Sequence, residues 1–314
     1  MSNTRAGILA MIGACTVWGL SPIYYRQLAH IPPLEVLAHR AFWSLVFFAG
    51  LLAVQGRLRE VRAAFNGGRR TALIVLAMAF VSVNWFLFIY ATMINRNIET
   101  SLGYFTYPLV AVVMGYFWFS ERLDRMQWIA VGLATVGVLV LSIGLGAPPW
   151  ISMSLAITFA LYGAIKKQLP LGPVVSVTCE VLVVLPLALG YLLWLQTQGI
   201  GAFGPSMWDN ILLILSGPVT ALPLILFSFA ARRVDMSTVG VLTYLNPSLQ
   251  FICAALLFGE VLTLWHQIAF PLIWVALALY SIALWRQSPR SAAIAAGGVS
   301  TTVRKSPSDG SAKP

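Results

Sequence analysis

The chain reads as long apolar runs separated by short polar breaks. Ten runs, at about 7–28, 34–55, 71–93, 100–119, 127–145, 151–167, 173–195, 209–231, 237–259 and 265–285, are each long enough as helices to approach or exceed the span of a bilayer's hydrocarbon layer. They contain isolated glycines and prolines but no sustained alternation of polar and apolar positions. The pattern therefore predicts helices and not a barrel.

One stretch returns. ETSLGYFTYPLVAVVMGYFWFSERLDR, from Glu99 to Arg125, is an apolar run with Pro108 inside it and Glu121 closing it. STVGVLTYLNPSLQFICAALLFGEVL, from Ser237 to Leu262, repeats the plan. A shift of 139 residues brings Pro108 onto Pro247, Phe119 onto Phe258, Glu121 onto Glu260 and Leu123 onto Leu262. It also brings Leu87, Phe88 and Ala91 onto Leu226, Phe227 and Ala230, while Pro33 and Pro173 are 140 apart. A steady register of this length predicts two related halves. Ten spans divided in two leave five per half, an odd number, so the second half must enter the membrane from the opposite side. The expected fold is thus an all-α polytopic membrane protein of ten transmembrane helices in two inverted five-helix repeats, 1–147 and 148–286, with a basic linker at 56–70 and a disordered tail at 287–314.

Composition agrees with that class: 59% of the 314 residues are hydrophobic and 10% charged, against about 25% charged in soluble domains. The net charge of +10 reads as topology. With a cytoplasmic N-terminus, 17 of the 20 Lys and Arg residues fall on the cytoplasmic side, Arg26 and Arg96 fall outside, and Arg40 lies within a span. Both termini are then cytoplasmic, and the basic residues are no nucleic-acid footprint. Cys15, Cys179 and Cys253 stand singly in apolar runs, without metal or disulfide spacing. The first run is too long, and lacks the small-residue cleavage site, for a removed signal peptide, so a retained helix is expected.

Polar and aromatic residues deep in the spans are the candidates for function. Trp18 lies about 16 Å along its helix, near mid-bilayer, where it serves either packing or a site; Tyr162-Gly163 echoes Trp18-Gly19 in the second half. In PPLEVLAHRAFWS, Glu35 and His39 share a helix face, and Trp43 follows Arg40 by three and is expected to stack near it. A guanidinium about 10 Å below the surface costs several kcal/mol unless it faces a wet cavity or a partner. Arg40 plus 140 is Glu180, so a cation and a carboxylate occupy corresponding positions on opposite sides of the midplane. Arg40 suits a carboxylate, and Glu180 a proton or an amine. Asn84 and Trp85 sit halfway across their span, where an amide serves a neighbouring helix or a ligand equally well. Pro108 and Pro247 interrupt corresponding spans next to Tyr104, Tyr107, Tyr244 and Asn246, a pairing that points to a transporter's binding site. Lys166, Lys167 and Asp209 read as ordinary end residues.

The segments VWGLSPIYY, EVLAHRAFWS, NWFLFIYA, ETSLGYFTYPLV, RMQWIAVGLATVGVL, ALYGAIKK, STVGVLTYLNP and FPLIWVALALYS resemble the EamA-domain branch of the drug/metabolite transporter superfamily, and within it the RarD (chloramphenicol-sensitive protein) branch. The resemblance covers about 7–285. It implies ten helices in two inverted EamA repeats in a bacterial inner membrane, and an exporter-like role. Two positions depart from the pattern: Tyr107 stands where asparagine is expected before the proline, and Ser120 where glycine is expected before Glu121.

The expected function is therefore secondary transport, by alternating access, of small amphipathic metabolites such as amino acids or drug-like compounds. The alternatives are a passive channel and a non-transporting regulatory membrane protein. The expected partners are a small-molecule substrate, the lipid bilayer and a proton as candidate coupling ion, in a monomer or homodimer. The residues call for no cofactor, and without a catalytic cluster or a GxxxxGK[ST] run they favour neither an enzyme nor an ATP-driven pump.

Overall fold

The computed structural model describes residues 3–119, 123–145, 149–166, 168–231, 233 and 242–297. Glu121 and Ser120 lie outside the described residues, as do 237–241 of the recurring stretch, Lys167 and the last part of the expected tail. The described chain is helical, and strands are absent from it. Its elements are α1 (Asn3–Gln27), α2 (Pro33–Val54), α3 (Leu58–Ala64), α4 (Gly68–Met93), α5 (Asn97–Phe119), α6 (Arg125–Leu145), α7 (Trp150–Lys166), α8 (Pro173–Thr197), α9 (Met207–Ala231), α10 (Leu245–Ile252) and α11 (Leu264–Gly297). A π-helical turn, Cys253–Leu257, continues α10. Seven helices among the described residues are long and apolar enough to cross a bilayer, and Trp150–Lys166 and Leu245–Leu257 are shorter apolar helices.

Local rules place the helix ends. α2 and α8 each begin with proline at the first helical position, Pro33 and Pro173, where the missing N–H is unneeded and φ is already helical. Each ends at a glycine in the left-handed region, Gly56 (φ 68°) and Gly199 (φ 67°), which closes the last turn at no steric cost. The two recurring prolines behave differently. α5 runs unbroken across Pro108, whereas α10 starts just ahead of Pro247, in the turn where an absent donor costs least. Residues 287–297, expected as disordered tail, continue α11; the run Ser-Ala-Ala-Ile-Ala-Ala is rich in helix-favouring alanine.

The helices pack in a definite pattern. α9 lies against α1 and α2, α4 against α7 and α8, α5 against α7 and α10, α1 against α10, α2 against α8, and α6 against α11. Glycines set the closest approaches. A Cβ on Gly19 would fall 2.6 Å from Leu249 Cβ, and one on Gly103 2.9 Å from the Ser152 carbonyl oxygen, so only glycine admits these crossings. The linker is partly built into the bundle: Ala64 of α3 is buried, and Val61 and Phe65 pack with Leu169, Val175 and Cys179. Its Arg59, Arg62 and Arg69 remain exposed. Arg57 donates to both carboxylate oxygens of Glu60 at 2.7 and 2.9 Å, which holds that carboxyl below its usual range.

At the end expected to face outward, polar ties join separate helices. Arg26 donates to Asn95, His30 contacts Asp209 at 3.1 Å, and Glu35 accepts the Ala202 N–H at 2.6 Å. Glu260 makes the most extensive tie. It accepts the backbone N–H groups of Asn97 and Ile98, both at 2.8 Å, and the Asn97 side-chain amide at 2.7 Å. A carboxylate here satisfies two of the helix's orphan donors and lies at the positive end of its dipole. Glu260→Ala is accordingly expected to lower stability by about 2 kcal/mol, and Glu260→Gln, which retains one acceptor oxygen, by less. Thermal unfolding of the detergent-solubilised protein measures both, and equal melting of all three chains would rule the cap out as a stabilising tie.

Candidate functional site

Between the packed helices lies a cavity of about 940 Å³ with walls from both halves of the chain. Of the twelve residues singled out from sequence, nine line it: Trp18, Arg40, Asn84, Trp85, Tyr104, Tyr107, Tyr162, Tyr244 and Asn246. They come from α1, α2, α4, α5, α7 and the start of α10. Its size suits a small organic molecule, and aromatic walls with few polar groups are usual for such sites.

Three expectations change. His39 and Trp43 share a face of α2, one helical turn apart, and that face meets Phe203. His39 stacks on the Phe203 ring with centroids 5.3 Å apart, and Trp43 tilts against it at 6.2 Å. Neither lines the cavity. Arg40 sits about 100° further round the helix and does. The indole beside Arg40 therefore belongs to Trp85 of α4, with the guanidinium carbon 4.1 Å from the ring centroid, while Tyr25 lies at 5.7 Å. Glu180 is the third case. It is 1% exposed and stands behind the cavity wall, where Lys166 pairs with it at 2.5 Å. Ser176 and Tyr162 also donate to it, at 2.9 and 3.1 Å. A mid-span carboxylate demands a cation, and Lys166, read from sequence as an ordinary helix end, supplies it from α7. That demand was the available signal, but it does not identify which lysine.

The polar lining is mostly engaged with the protein. The Asn84 amide donates to the Leu155 carbonyl at 2.9 Å and to Thr158 at 3.0 Å, and accepts from the Tyr104 hydroxyl at 3.2 Å. The residue thus ties α4 to α7 while also facing the cavity. Asn246 accepts from Gln250 at 3.0 Å, and the Pro247 carbonyl accepts from Ser101 at 2.8 Å. Tyr107 meets Phe159 edge-on at 4.8 Å, and Trp18 tilts against Phe227 at 6.0 Å. Phe159, Phe227, Gln250 and Tyr280 also line the cavity without having been singled out as site residues, since a phenylalanine or glutamine in an apolar helix carries no mark of its neighbours.

Comparison with known proteins places the molecule among transport proteins. The model of the EamA-like transporter family matches residues 5–143. Protein RarD of Streptomyces exfoliatus is 41% identical over 293 residues, covering 93% of both chains. An uncharacterized transporter of Vibrio cholerae is 37% identical over 281 residues, 89% of this chain and 93% of that one. Protein RarD of Escherichia coli K12 is 35% identical over 279 residues, 88% and 94% of the two chains. A chain of known crystal structure superposes with a TM-score of 0.58 at 16% identity, covering 88% of this chain and 97% of the other; that likeness concerns the fold alone.

Proposed function

Because the chain belongs to the EamA-like transporter family, in its RarD branch, we propose that it is a secondary transporter that exports small amphipathic metabolites, the class that includes amino acids and drug-like compounds, across a bacterial inner membrane by alternating access. Both termini then face the cytoplasm. The observation that carries this reading is the aromatic cavity of about 940 Å³ walled by both halves of the chain.

The packing supports the two-repeat architecture that such a mechanism uses. Let α1, α2, α4, α5 and α6 correspond to α7, α8, α9, α10 and α11. The contact α1–α9 then exchanges with α7–α4, α2–α9 with α8–α4, and α5–α7 with α10–α1. The contacts α2–α8, α5–α10 and α6–α11 map onto themselves. Ten spans related by a pseudo-twofold axis in the membrane plane would produce this set, and rocking one bundle against the other would alternately expose the cavity.

The test is counterflow in proteoliposomes holding the purified full-length chain. Vesicles loaded with an unlabelled aromatic metabolite and diluted into its labelled form are expected to show a transient accumulation above equilibrium. 3-Phenylpropionate and phenylalanine are the first probes, and overshoot with either supports the carrier. Equilibration without overshoot would mark a passive channel, and absence of protein-dependent flux a non-transporting membrane protein.

A further inference from the structure

Resting on the carrier reading, we infer that the cavity selects its cargo by charge: it takes aromatic monocarboxylates and discriminates against α-amino acids and amines. Charge on the cavity lining decides the preference. Arg40 and Lys166 are the only charged side chains among the described residues of the lining, and both are cationic. Lys166 is already engaged, with Glu180 as counter-ion and Ser176 as second partner. That pair carries no net charge. Arg40 therefore leaves the cavity with an excess of one positive charge.

Arg40 is 7% exposed, and among the described residues its guanidinium has neither a hydrogen bond nor an ion pair; its Nε is buried without a partner. What it does have is the face of Trp85 on one side and Tyr25 nearby. Cation–π contact favours the charge by about 2 kcal/mol when desolvated, well short of the hydration that a buried ion gives up. It also leaves the in-plane donors unused. Those donors form a planar fork that matches a carboxylate oxygen for nitrogen. Trp85 and Tyr25 thus hold the group flat while the fork edge stays available to a ligand that supplies the missing anion.

The same charge balance disfavours a zwitterion. An α-ammonium sits one carbon from the carboxylate that Arg40 would hold, so binding places it beside the guanidinium. A carboxylate to receive it is absent from the described lining, since Glu180 stands behind the wall in contact with Lys166. A free amine faces the same excess of positive charge without an anion to offset it. The ring end of the ligand is accommodated by Trp18, Tyr107, Phe159, Phe227 and Tyr244, whose faces and edges stack with aromatic groups.

Calorimetric titration of the detergent-solubilised full chain tests this with four probes on one skeleton: 3-phenylpropionate, phenylalanine, 3-phenylpropylamine and 3-phenylpropan-1-ol. The anion is expected to bind at least about 10-fold more tightly than each of the others. Arg40→Gln should abolish that preference, and Arg40→Lys, which keeps the charge but not the fork, should restore part of it. Comparable affinity for phenylalanine and phenylpropionate on the wild type would overturn the inference without recourse to any variant. So would unchanged anion binding in Arg40→Gln, or absence of anion binding at millimolar concentration. Counterflow separates the two claims. Exchange of phenylalanine in preference to phenylpropionate would leave the carrier and remove the charge rule. Selective anion binding without exchange would leave the charge rule and remove the carrier.

Discussion

Glu180→Gln is expected to destabilise the folded protein by about 3 kcal/mol, and Lys166→Met added to it to recover most of that loss. Glu180 is 1% exposed and Lys166 23%, so neither charge is well hydrated. Removing one member of a buried pair leaves the other uncompensated, typically at a cost of about 3–5 kcal/mol. The lower end applies because Lys166 lines the cavity, where water can reach it. Glutamine keeps one of the two oxygens that accept from Ser176 and Tyr162, so most of the effect comes from the lost countercharge. The double variant removes both charges and leaves a neutral amide beside an apolar side chain, with no uncompensated ion at either position. Thermal unfolding of the four chains of the cycle gives the coupling directly. Losses that simply add would show that the two residues do not act as a pair.

Gly217→Val should have an effect of similar size by a different route. A Cβ at Gly217 would lie 2.5 Å from the Trp43 carbonyl oxygen, 2.6 Å from its carbon and 3.0 Å from the Ser44 nitrogen. All three are backbone atoms, so no rotamer change relieves the clash, and α9 must move away from α2. Overpacking of this kind costs about 1–3 kcal/mol even for modest insertions, and valine adds two methyl groups beyond the Cβ. The shift also disturbs function, because Trp43 and Ser44 follow Arg40 on α2 by less than a turn and a half. Melting temperature and phenylpropionate affinity should therefore fall together. Gly132→Ala is the control. It lies in α6 with nothing within 4 Å of an added Cβ, so it should be neutral or stabilising by about 0.5–1 kcal/mol. A Gly217→Ala chain as stable as the wild type would contradict the close approach.

These two sites differ in how they could have been foreseen. Glu180 stood out as a carboxylate deep in an apolar run, whereas Gly217 is one of 25 glycines and nothing adjacent marks it as a contact point. The same division holds for Arg40. Its depth showed that it needed a partner or a cavity, but Trp43, close in sequence, was the wrong indole. Trp85 is 45 positions away and reaches Arg40 only because α4 and α2 meet.

The sequence by itself determined most of the described helices and nine of the residues that line the cavity. Apolar length, prolines at Pro33 and Pro173 and terminal glycines at Gly56 and Gly199 act within a few residues of where they stand, so they are legible one segment at a time. The tertiary structure alone decided the pairings: Lys166 with Glu180, Arg40 with Trp85, Glu260 on the first turn of α5, and Gly217 against Trp43. Each depends on the rotation of one helix about its axis and on the level at which another crosses it. A residue's neighbours across a bundle are set by those two quantities, and they come from packing all the helices at once.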